Sequence, residues 1–160
     1  MPIYSKREDW GGFEISHALY TWIRSNLPQG DTILELGSGW GSGQLAKRWN
    51  VWSVEHNEKW FKKYNKQSVL IPIKDGWYNS DQLKDFLNTT SYDLLLIDGP
   101  YPQKRRGFVK HFHLFDHSVP IVFDDIKRDD GRKIMKEISD ILQRPAVSHG
   151  TAFGTITGDR

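Results

Sequence analysis

The sequence predicts one α/β domain of 160 residues, built on an open, doubly wound sheet of seven strands that is mostly parallel. Short apolar runs recur along the chain, and polar stretches of helical length separate them. The run Leu94–Ile97 is apolar at every position, which is typical of a central parallel strand covered on both faces. The last two runs are separated by so few residues, 149–151, that they must form a hairpin with one antiparallel strand.

The apolar pattern gives the bounds of each element. The seven predicted strands cover residues 32–36, 51–55, 69–73, 92–98, 119–124, 146–149 and 152–157. The clearest helix covers residues 128–142, where apolar side chains form one stripe: Ile134, Met135, Ile138, Ile141 and Leu142. Residues 1–30 are expected to form an N-terminal helical segment, with an amphipathic stretch at 15–23, and residues 31–160 to form the core.

The composition excludes several classes of protein. The chain has 22 Lys plus Arg and 20 Asp plus Glu, and a net charge of +2 does not indicate a protein that coats a polyanion. The absence of Cys excludes disulfides, thiolate metal sites and a Cys nucleophile. No apolar run approaches the roughly 20 residues that cross a bilayer, and the first residues lack the apolar core of a signal peptide. We therefore expect a cytoplasmic enzyme or binding module without a membrane partner.

A glycine-rich turn follows the first strand. Residues 35–43 read ELGSGWGSG, and glycines at alternate positions allow a tight turn and close approach of a ligand to the backbone. Ser42 stands where a dinucleotide fingerprint has its last glycine, which disfavours a nicotinamide cofactor. No Gly-Lys-Ser or Gly-Lys-Thr closes the turn, so a Walker loop is excluded.

A second acidic residue lies at the end of the second strand. Glu55 is 18 residues after the first glycine, where a carboxylate on a neighbouring strand can accept hydrogen bonds from a ribose diol. Together with Glu35 and the alternating glycines, this pattern resembles the class I S-adenosylmethionine (SAM)-dependent methyltransferases, whose first motif is an acidic residue followed by x-G-x-G-x-G. The resemblance covers nearly the whole chain, since the strand order and the terminal hairpin also match. It implies a Rossmann-like fold and SAM as the cofactor.

The resemblance also implies roles for individual residues. Glu35 would support the amino group of SAM or the glycine-rich loop, and Glu55 would bind the ribose hydroxyls. Asp75, at the end of the third predicted strand, would approach the adenine, but Asp75-Gly76 is equally typical of an ordinary turn. The predicted cofactor-binding residues are Glu35, Gly37, Ser38, Gly39, Gly41, Glu55, His56, Asp75, Gly76 and Asp98.

Three aspartates follow the fourth and fifth strands: Asp98, Asp124 and Asp125. Carboxylates that converge at one sheet edge need a cation or a proton to offset their repulsion. The arrangement resembles the metal-assisted O-methyltransferases, which implies a divalent cation such as Mg or Mn on these three residues. Without a metal, Asp98 would act as a base or an orienting group. Asp124 or Asp125 could instead cap the following helix.

A basic stretch follows the fourth strand, beside the expected acceptor pocket. It contains Lys104, Arg105, Arg106 and Lys110. The arginines could hold an anionic or sugar acceptor through charged hydrogen bonds, whereas the lysines are more typical of a solvated helix face. Our predicted catalytic residues are Asp98, Asp124, Asp125 and Arg105.

The leading interpretation is methyl transfer from SAM to a hydroxyl of a polar small molecule, such as a saccharide. Few residues remain to build a lid, so we expect an open mouth that suits a sugar ring, unless a partner subunit supplies the missing wall. The predicted rim consists of Trp10, Trp77, Tyr78, Tyr101, Arg105 and Arg106. Two alternatives stay open: a nucleic-acid methyltransferase that uses the basic stretch, and a catalytically silent subunit that only binds the cofactor.

Overall fold

The computed structural model describes residues 16–159, and the predictions for residues 1–15, including Trp10, lie outside this range. The helices are α1 (His17–Asn26), α2 (Trp40–Ala46), α3 (Ser80–Asn88), α4 (Gly107–His111) and α5 (Asp129–Leu142). The strands are β1 (Thr32–Leu36), β2 (Asn50–Glu55), β3 (Ser68–Leu70), β4 (Ile73–Lys74), β5 (Trp77–Tyr78), β6 (Leu94–Ile97), β7 (Ile121–Asp124), β8 (Ala146–His149) and β9 (Phe153–Ile156). Within the described range, no helix is long and apolar enough to cross a membrane.

Seven strands form one sheet in the order β3-β2-β1-β6-β7-β9-β8. Strand β9 runs antiparallel to both β7 and β8, and every other pairing in this sheet is parallel. The predicted fold class is therefore confirmed, including the antiparallel strand of the terminal hairpin. The chain reverses its direction of winding between β1 and β6, so the carboxyl ends of these two strands flank the switch point where ligands bind such sheets.

Helices cover both faces of the sheet. Strand β6 shows this most clearly, because its four side chains point alternately to the two sides and are all at most 2% exposed. Leu95 and Ile97 belong to a core cluster with residues of α3, α4 and α5, whereas Leu94 and Leu96 pack with residues of α1 and α2. The continuous apolar run of β6 is thus buried on both sides, as the sequence predicts.

The third predicted strand is partly wrong. In place of a strand at 69–73, the sheet contains only Ser68–Leu70, because Pro72 has no N–H with which to continue the ladder. The chain then forms a separate antiparallel hairpin of β4 and β5. Its two turn residues, Asp75 and Gly76, have φ values of 55° and 88°, which is typical of a type I′ turn. The turn interpretation of Asp75-Gly76 is therefore the one the structure supports.

Two of the aromatic residues predicted at the rim lie in the core. Trp77 and Tyr78 are each 1% exposed, so their placement at the mouth of the site is wrong. The ring of Trp77 stacks on His111 with centroids 4.8 Å apart and packs edge-on against Phe115. Both side chains hold the small hairpin onto the sheet. Tyr101 is 49% exposed, as a rim residue would be.

Candidate functional site

A cleft with a volume of about 770 Å³ opens at the carboxyl ends of the central strands. The segments after β1, β2, β6 and β7 form its floor and walls, and the turn before β9 contributes to one side. This is the position that the doubly wound topology favours for a ligand. The predicted site residues that line it are Gly37, Ser38, Gly39, Glu55, His56, Asp98, Arg105, Asp124 and Asp125.

Four predicted site residues do not line the cleft. Glu35 is 1% exposed inside β1, and Gly41 is buried within α2. Asp75 and Gly76 occupy the hairpin turn and line a separate groove. They lie there because β3 ends three residues before Ile73, so the chain leaves the sheet before it reaches the predicted adenine position.

The backbone at Gly37 requires glycine for two reasons. Its φ is +93°, a conformation that other residues rarely adopt. A Cβ at this position would also lie 2.7 Å from the carbonyl oxygen of Asp98. The first turn of the glycine-rich loop therefore packs directly against the loop that follows β6, which brings the two halves of the cleft together.

A buried polar network supports this loop from below. The Ser53 hydroxyl donates to Glu35 Oε1 over 2.7 Å, and Asn65 Nδ2 donates to the Ser53 hydroxyl oxygen over 2.9 Å. Ser42 also hydrogen-bonds to Glu35, and its Oγ accepts from the backbone N–H of Gly39 over 2.9 Å. Burial raises the pKa of Glu35 to about 8. Glu35 thus lies under the loop, in a place that matches the supporting role expected for it.

The Glu55 carboxylate ties the end of β2 to the glycine-rich loop. Oε1 accepts from the backbone N–H of Ser38 over 3.1 Å, and Oε2 accepts from the N–H groups of His56 and Asn57 over 2.8 Å each. The Ser38 hydroxyl also lies 3.5 Å from Oε1, and His56 Nδ1 lies 3.3 Å from Oε2. An ionised carboxylate has about four acceptor positions, so a ligand hydroxyl would take the place of one of these two longer contacts. Glu55 also lines the cleft, which makes it accessible to such a ligand.

Two buried polar side chains near Glu55 lack hydrogen-bond partners among the described residues. Neither ring nitrogen of His56 makes a hydrogen bond, although Nδ1 lies 3.3 Å from Glu55 Oε2, and the hydroxyl of Tyr78 makes none either. The two rings meet edge-on with centroids 6.3 Å apart. Buried polar atoms are nearly always satisfied in folded proteins. His56 lines the cleft, so its ring fits a polar ligand with ring nitrogens or hydroxyls, such as the adenosyl part of SAM, whereas Tyr78 is buried and does not line the cleft.

The carboxyl groups of Asp98 and Asp124 hydrogen-bond to each other at the ends of β6 and β7. Burial, and then the charge of Asp98, raises the pKa of Asp124 well above its usual range. Two carboxyl groups in such contact are favoured when one of them carries a proton or when a cation lies between them. Arg105 lies beside it, with Nη2 3.6 Å from Asp98 Oδ1. Arg105 also donates from Nε to the carbonyl of Pro100 and from Nη2 to that of Asp98, 3.0 Å each, so it braces the loop after β6.

Asp125 lines the cleft, but it does not join Asp98 and Asp124 as a third ligand for a metal ion. Its Oδ2 lies 3.7 Å from Arg128 Nε. Within residues 16–159, no three His, Asp or Glu side chains are placed to hold a metal ion together. The contact of Asp98 with Asp124 still fits Mg, which proteins often bind through one or two carboxylates while it keeps several waters. The alternative capping role is not seen, since Arg128 is the N-cap residue of α5.

Sequence reasoning missed several residues around the cleft. Trp60 lines it, and Lys59 and Lys63 lie over its ring at 5.5 and 4.8 Å. No motif marks Trp60, because only the turn after β2 brings it to the opening. Ser53 gives a weak signal, as a polar residue within the otherwise apolar run 51–54 that leads to Glu55.

Solved structures provide the comparison. MycE, from the mycinamycin biosynthetic pathway and solved with Mg, SAH and mycinamycin VI, is 14% identical with a TM-score of 0.63; the match covers 99% of this chain and 49% of MycE. The O-methyltransferase TomG of Streptomyces achromogenes, solved with SAM, is 14% identical with a TM-score of 0.59, covering 97% and 86%. This chain has the Rossmann-like methyltransferase fold. It spans about half the length of MycE.

The same fold also accommodates other chemistry. A precorrin 8w decarboxylase of Methanobacterium thermoautotrophicum is 14% identical with a TM-score of 0.56, and the match covers 96% of this chain and 95% of that one. No protein-family model matches the chain, and no curated protein matches its sequence. The fold therefore identifies the architecture, and the site itself must carry the argument about activity.

Proposed function

We propose that the chain is a SAM-dependent methyltransferase that acts on a hydroxyl of a polar small molecule. The observation that carries this proposal is the arrangement at the switch point. The glycine-rich loop and Glu55 lie on one side of the cleft, and the Asp98–Asp124 pair lies on the other. A cofactor end and an acceptor end thus share one opening, as a transfer reaction requires.

The cofactor end would hold SAM through the loop Gly37, Ser38 and Gly39, through Glu55 and through His56. Glu55 would accept from the ribose hydroxyls in place of its long contacts with Ser38 Oγ and His56 Nδ1, and the ring nitrogens of His56 would gain hydrogen bonds of better geometry. Bound SAM would supply a methyl group on a positively charged sulfonium. The protein's main task is then to align the acceptor oxygen, and alignment contributes about 7–11 kcal/mol in well-oriented reactions.

The acceptor end would receive the hydroxyl proton. Asp98 lies at the mouth of the cleft with Arg105 beside it, and its carboxylate would accept the proton as the oxygen attacks. Asp124 already hydrogen-bonds to Asp98 and so fixes its orientation.

If a divalent cation binds, Asp98 and Asp124 would hold it, and it would polarise the acceptor oxygen. Exhaustive chelation of an active preparation tests this, since loss of activity that Mg or Mn restores would support a metal.

A saccharide is the acceptor class that the cleft favours. The cleft would hold SAM and the acceptor side by side, and Tyr101, which is half-exposed, stands at the opening. Exposed aromatic faces beside hydrogen-bonding groups suit sugar rings. The mycinamycin VI complex of MycE provides a further parallel for a polar small-molecule acceptor.

Calorimetry with SAM and SAH tests the cofactor assignment. Glu55→Ala removes hydrogen bonds to a charged acceptor, each worth about 1.5–3 kcal/mol, and should weaken binding at least tenfold. Glu58→Ala is the matched control, because it removes the same charge from an exposed neighbour. Circular dichroism must show that both variants are folded. Equal affinity of the two variants would contradict the ribose-binding role of Glu55.

Transfer of a labelled methyl group tests the activity itself. We expect incorporation into hydroxyl-bearing acceptors from a panel of sugars, phenols, proteins and RNA. Asp98→Asn should abolish incorporation while SAM still binds, because it removes the proton acceptor and leaves the cofactor end intact. SAM binding without transfer to any acceptor would instead favour the catalytically silent subunit.

A further inference from the structure

A second groove lies beside the cleft, with a volume of about 440 Å³. One wall is the hairpin turn at Asp75 and Gly76, and the other is the segment from Gln103 to His111. Gln103 lines both the groove and the cleft, so the two openings meet at this side chain. A single ligand could therefore occupy both.

The groove carries positive charge that is only partly compensated. Lys104, Arg106 and Lys110 line it, whereas Asp75 is the only acidic lining residue among residues 16–159. Arg106 is held at the edge by Glu137, with which it forms hydrogen bonds of 2.7 and 3.0 Å. Neither Lys104 nor Lys110 forms an ion pair with any described acidic residue within 4.0 Å. Lys104 is only partly exposed, which fits an alkyl stem packed on the protein with its ammonium in the solvent of the groove.

The inner wall of the groove offers a further donor. Trp77 lines the groove, and its indole Nε1 is buried without an acceptor among residues 16–159. An indole N–H can only donate, so it needs an oxygen acceptor. The ring is fixed in place, because it stacks on His111 and a Cβ at Gly107 would overlap it. The groove is thus lined by two lysines that form no ion pair with a described residue and by a tryptophan whose buried N–H has no acceptor.

We propose that this groove binds a phosphate group carried by the methyl acceptor, an inference that rests on the proposed function. Compact ammonium groups are common phosphate ligands, and an anion with several oxygen acceptors would satisfy both lysines. The groove is bounded by the hairpin turn and by the Arg106–Glu137 pair, so it suits one phosphate better than a polynucleotide backbone. With its phosphate in the groove, the acceptor would pass Gln103 and place a hydroxyl near Asp98.

The test is a titration of the full chain with inorganic phosphate, glucose 6-phosphate and glucose, followed by two-dimensional NMR. The reporter is the indole resonance of Trp77, assigned by its loss in Trp77→Phe. We expect both phosphates to shift it saturably and glucose to leave it unchanged. The double variant Lys104→Gln with Lys110→Gln should bind glucose 6-phosphate at least tenfold more weakly. The control removes two exposed lysines that line neither opening, Lys66→Gln with Lys84→Gln, and should retain wild-type affinity.

The outcomes separate this inference from the proposed function. Absence of saturable binding, or an equal loss in both double variants, would overturn the groove assignment. Tighter binding of a single-stranded oligonucleotide that displaces glucose 6-phosphate would overturn it in favour of nucleic acid. SAM affinity, measured by calorimetry, should be the same in wild type and in the Lys104/Lys110 variant. If SAM does not bind but glucose 6-phosphate still does, the proposed function fails while the phosphate site stands.

Discussion

At the scale of single residues, Glu35 makes stability depend on pH. Burial raises its pKa from 4.5 to about 8, so the folded state holds this proton more tightly than the unfolded state. The resulting stability is fully present below the unfolded pKa and is lost as pH rises through the folded pKa. We predict that the free energy of unfolding in urea falls by several kcal/mol between about pH 5 and pH 8.

The substitution Glu35→Gln should make this dependence clearly less steep, because an amide has no proton to lose in this range, while Asp124, whose pKa is also raised by burial, contributes the part that remains. The exposed Glu58→Gln should leave the slope as it is in the wild type. Urea titrations of the three proteins at several pH values give the comparison. A slope in Glu35→Gln as steep as that of the wild type would show that another group causes it.

Alanine substitutions at Gly37 and Gly30 separate the cost of backbone strain from the cost of a steric clash. Their φ values are +93° and +90°, so alanine is strained to a similar extent at both positions, by about 1–2 kcal/mol. A Cβ meets the Asp98 carbonyl oxygen at Gly37 but nothing within 4 Å at Gly30. We predict that Gly37→Ala lowers the free energy of unfolding clearly more than Gly30→Ala does. If chemical denaturation gave equal losses of unfolding free energy for the two variants, the glycine-rich loop would not pack against the loop after β6 as described.

The sequence predicted some of these residues and not others, for a physical reason. The positions of Glu55 and the glycine-rich loop were predictable, because they follow two neighbouring strands, β1 and β2, and are separated by a characteristic number of residues. The network around Glu35 was not, since Ser53 of β2 donates to Glu35 and Asn65, in the turn before β3, donates in turn to Ser53. The contact of Asp98 with Asp124 follows from the sheet order, but the brace that Arg105 provides depends on the path of one loop.

At the scale of elements, α5 shows how far a periodic pattern can be trusted. The predicted apolar stripe contains Ile138, which is fully buried, and Ile141, which is 52% exposed. Both belong to the same helix and have the same side chain, so they form a matched pair. We predict that Ile138→Ala lowers the free energy of unfolding by about 2–5 kcal/mol and that Ile141→Ala changes it by about 0.5 kcal/mol or less. If thermal and urea unfolding showed similar losses of stability for the two variants, the side chain of Ile141 would have to be buried against another surface.

The hairpin of β4 and β5 is the element that the sequence did not predict. The run 69–73 has the composition of one strand, yet Pro72 interrupts it and the Asp75-Gly76 pair turns the chain back. What fixes the hairpin is the packing of Trp77 against His111 and Gly107, over 30 residues later in the chain. A contact at that separation leaves no periodic pattern in the sequence. The sequence alone therefore does not distinguish buried from exposed positions for Trp77 and Tyr78.

At the scale of the whole molecule, the topology was predictable because a parallel sheet with both faces covered leaves continuous apolar runs in the sequence. The same topology places the ends of β1, β2, β6 and β7 around one cleft, so residues far apart in sequence meet there. What the sequence cannot supply is the shape of the openings. The groove at Lys104 and Lys110 depends on the hairpin turn that faces them.

A ligand that contacts several strands of the sheet should stabilise the domain as a unit. SAH at about 100 times its dissociation constant adds about 2.7 kcal/mol if it binds only the folded state, and a domain of this size gains about 2–4 °C per kcal/mol. We therefore predict that Tm rises by roughly 5–11 °C and continues to rise with the logarithm of SAH concentration. At the same SAH concentration, Glu55→Ala should show about half this rise or less, because a tenfold loss of affinity leaves about 1.4 kcal/mol of stabilisation, while Glu58→Ala should follow the wild type. A rise that is equal in all three proteins would mean that SAH binds away from the Glu55 end of the cleft.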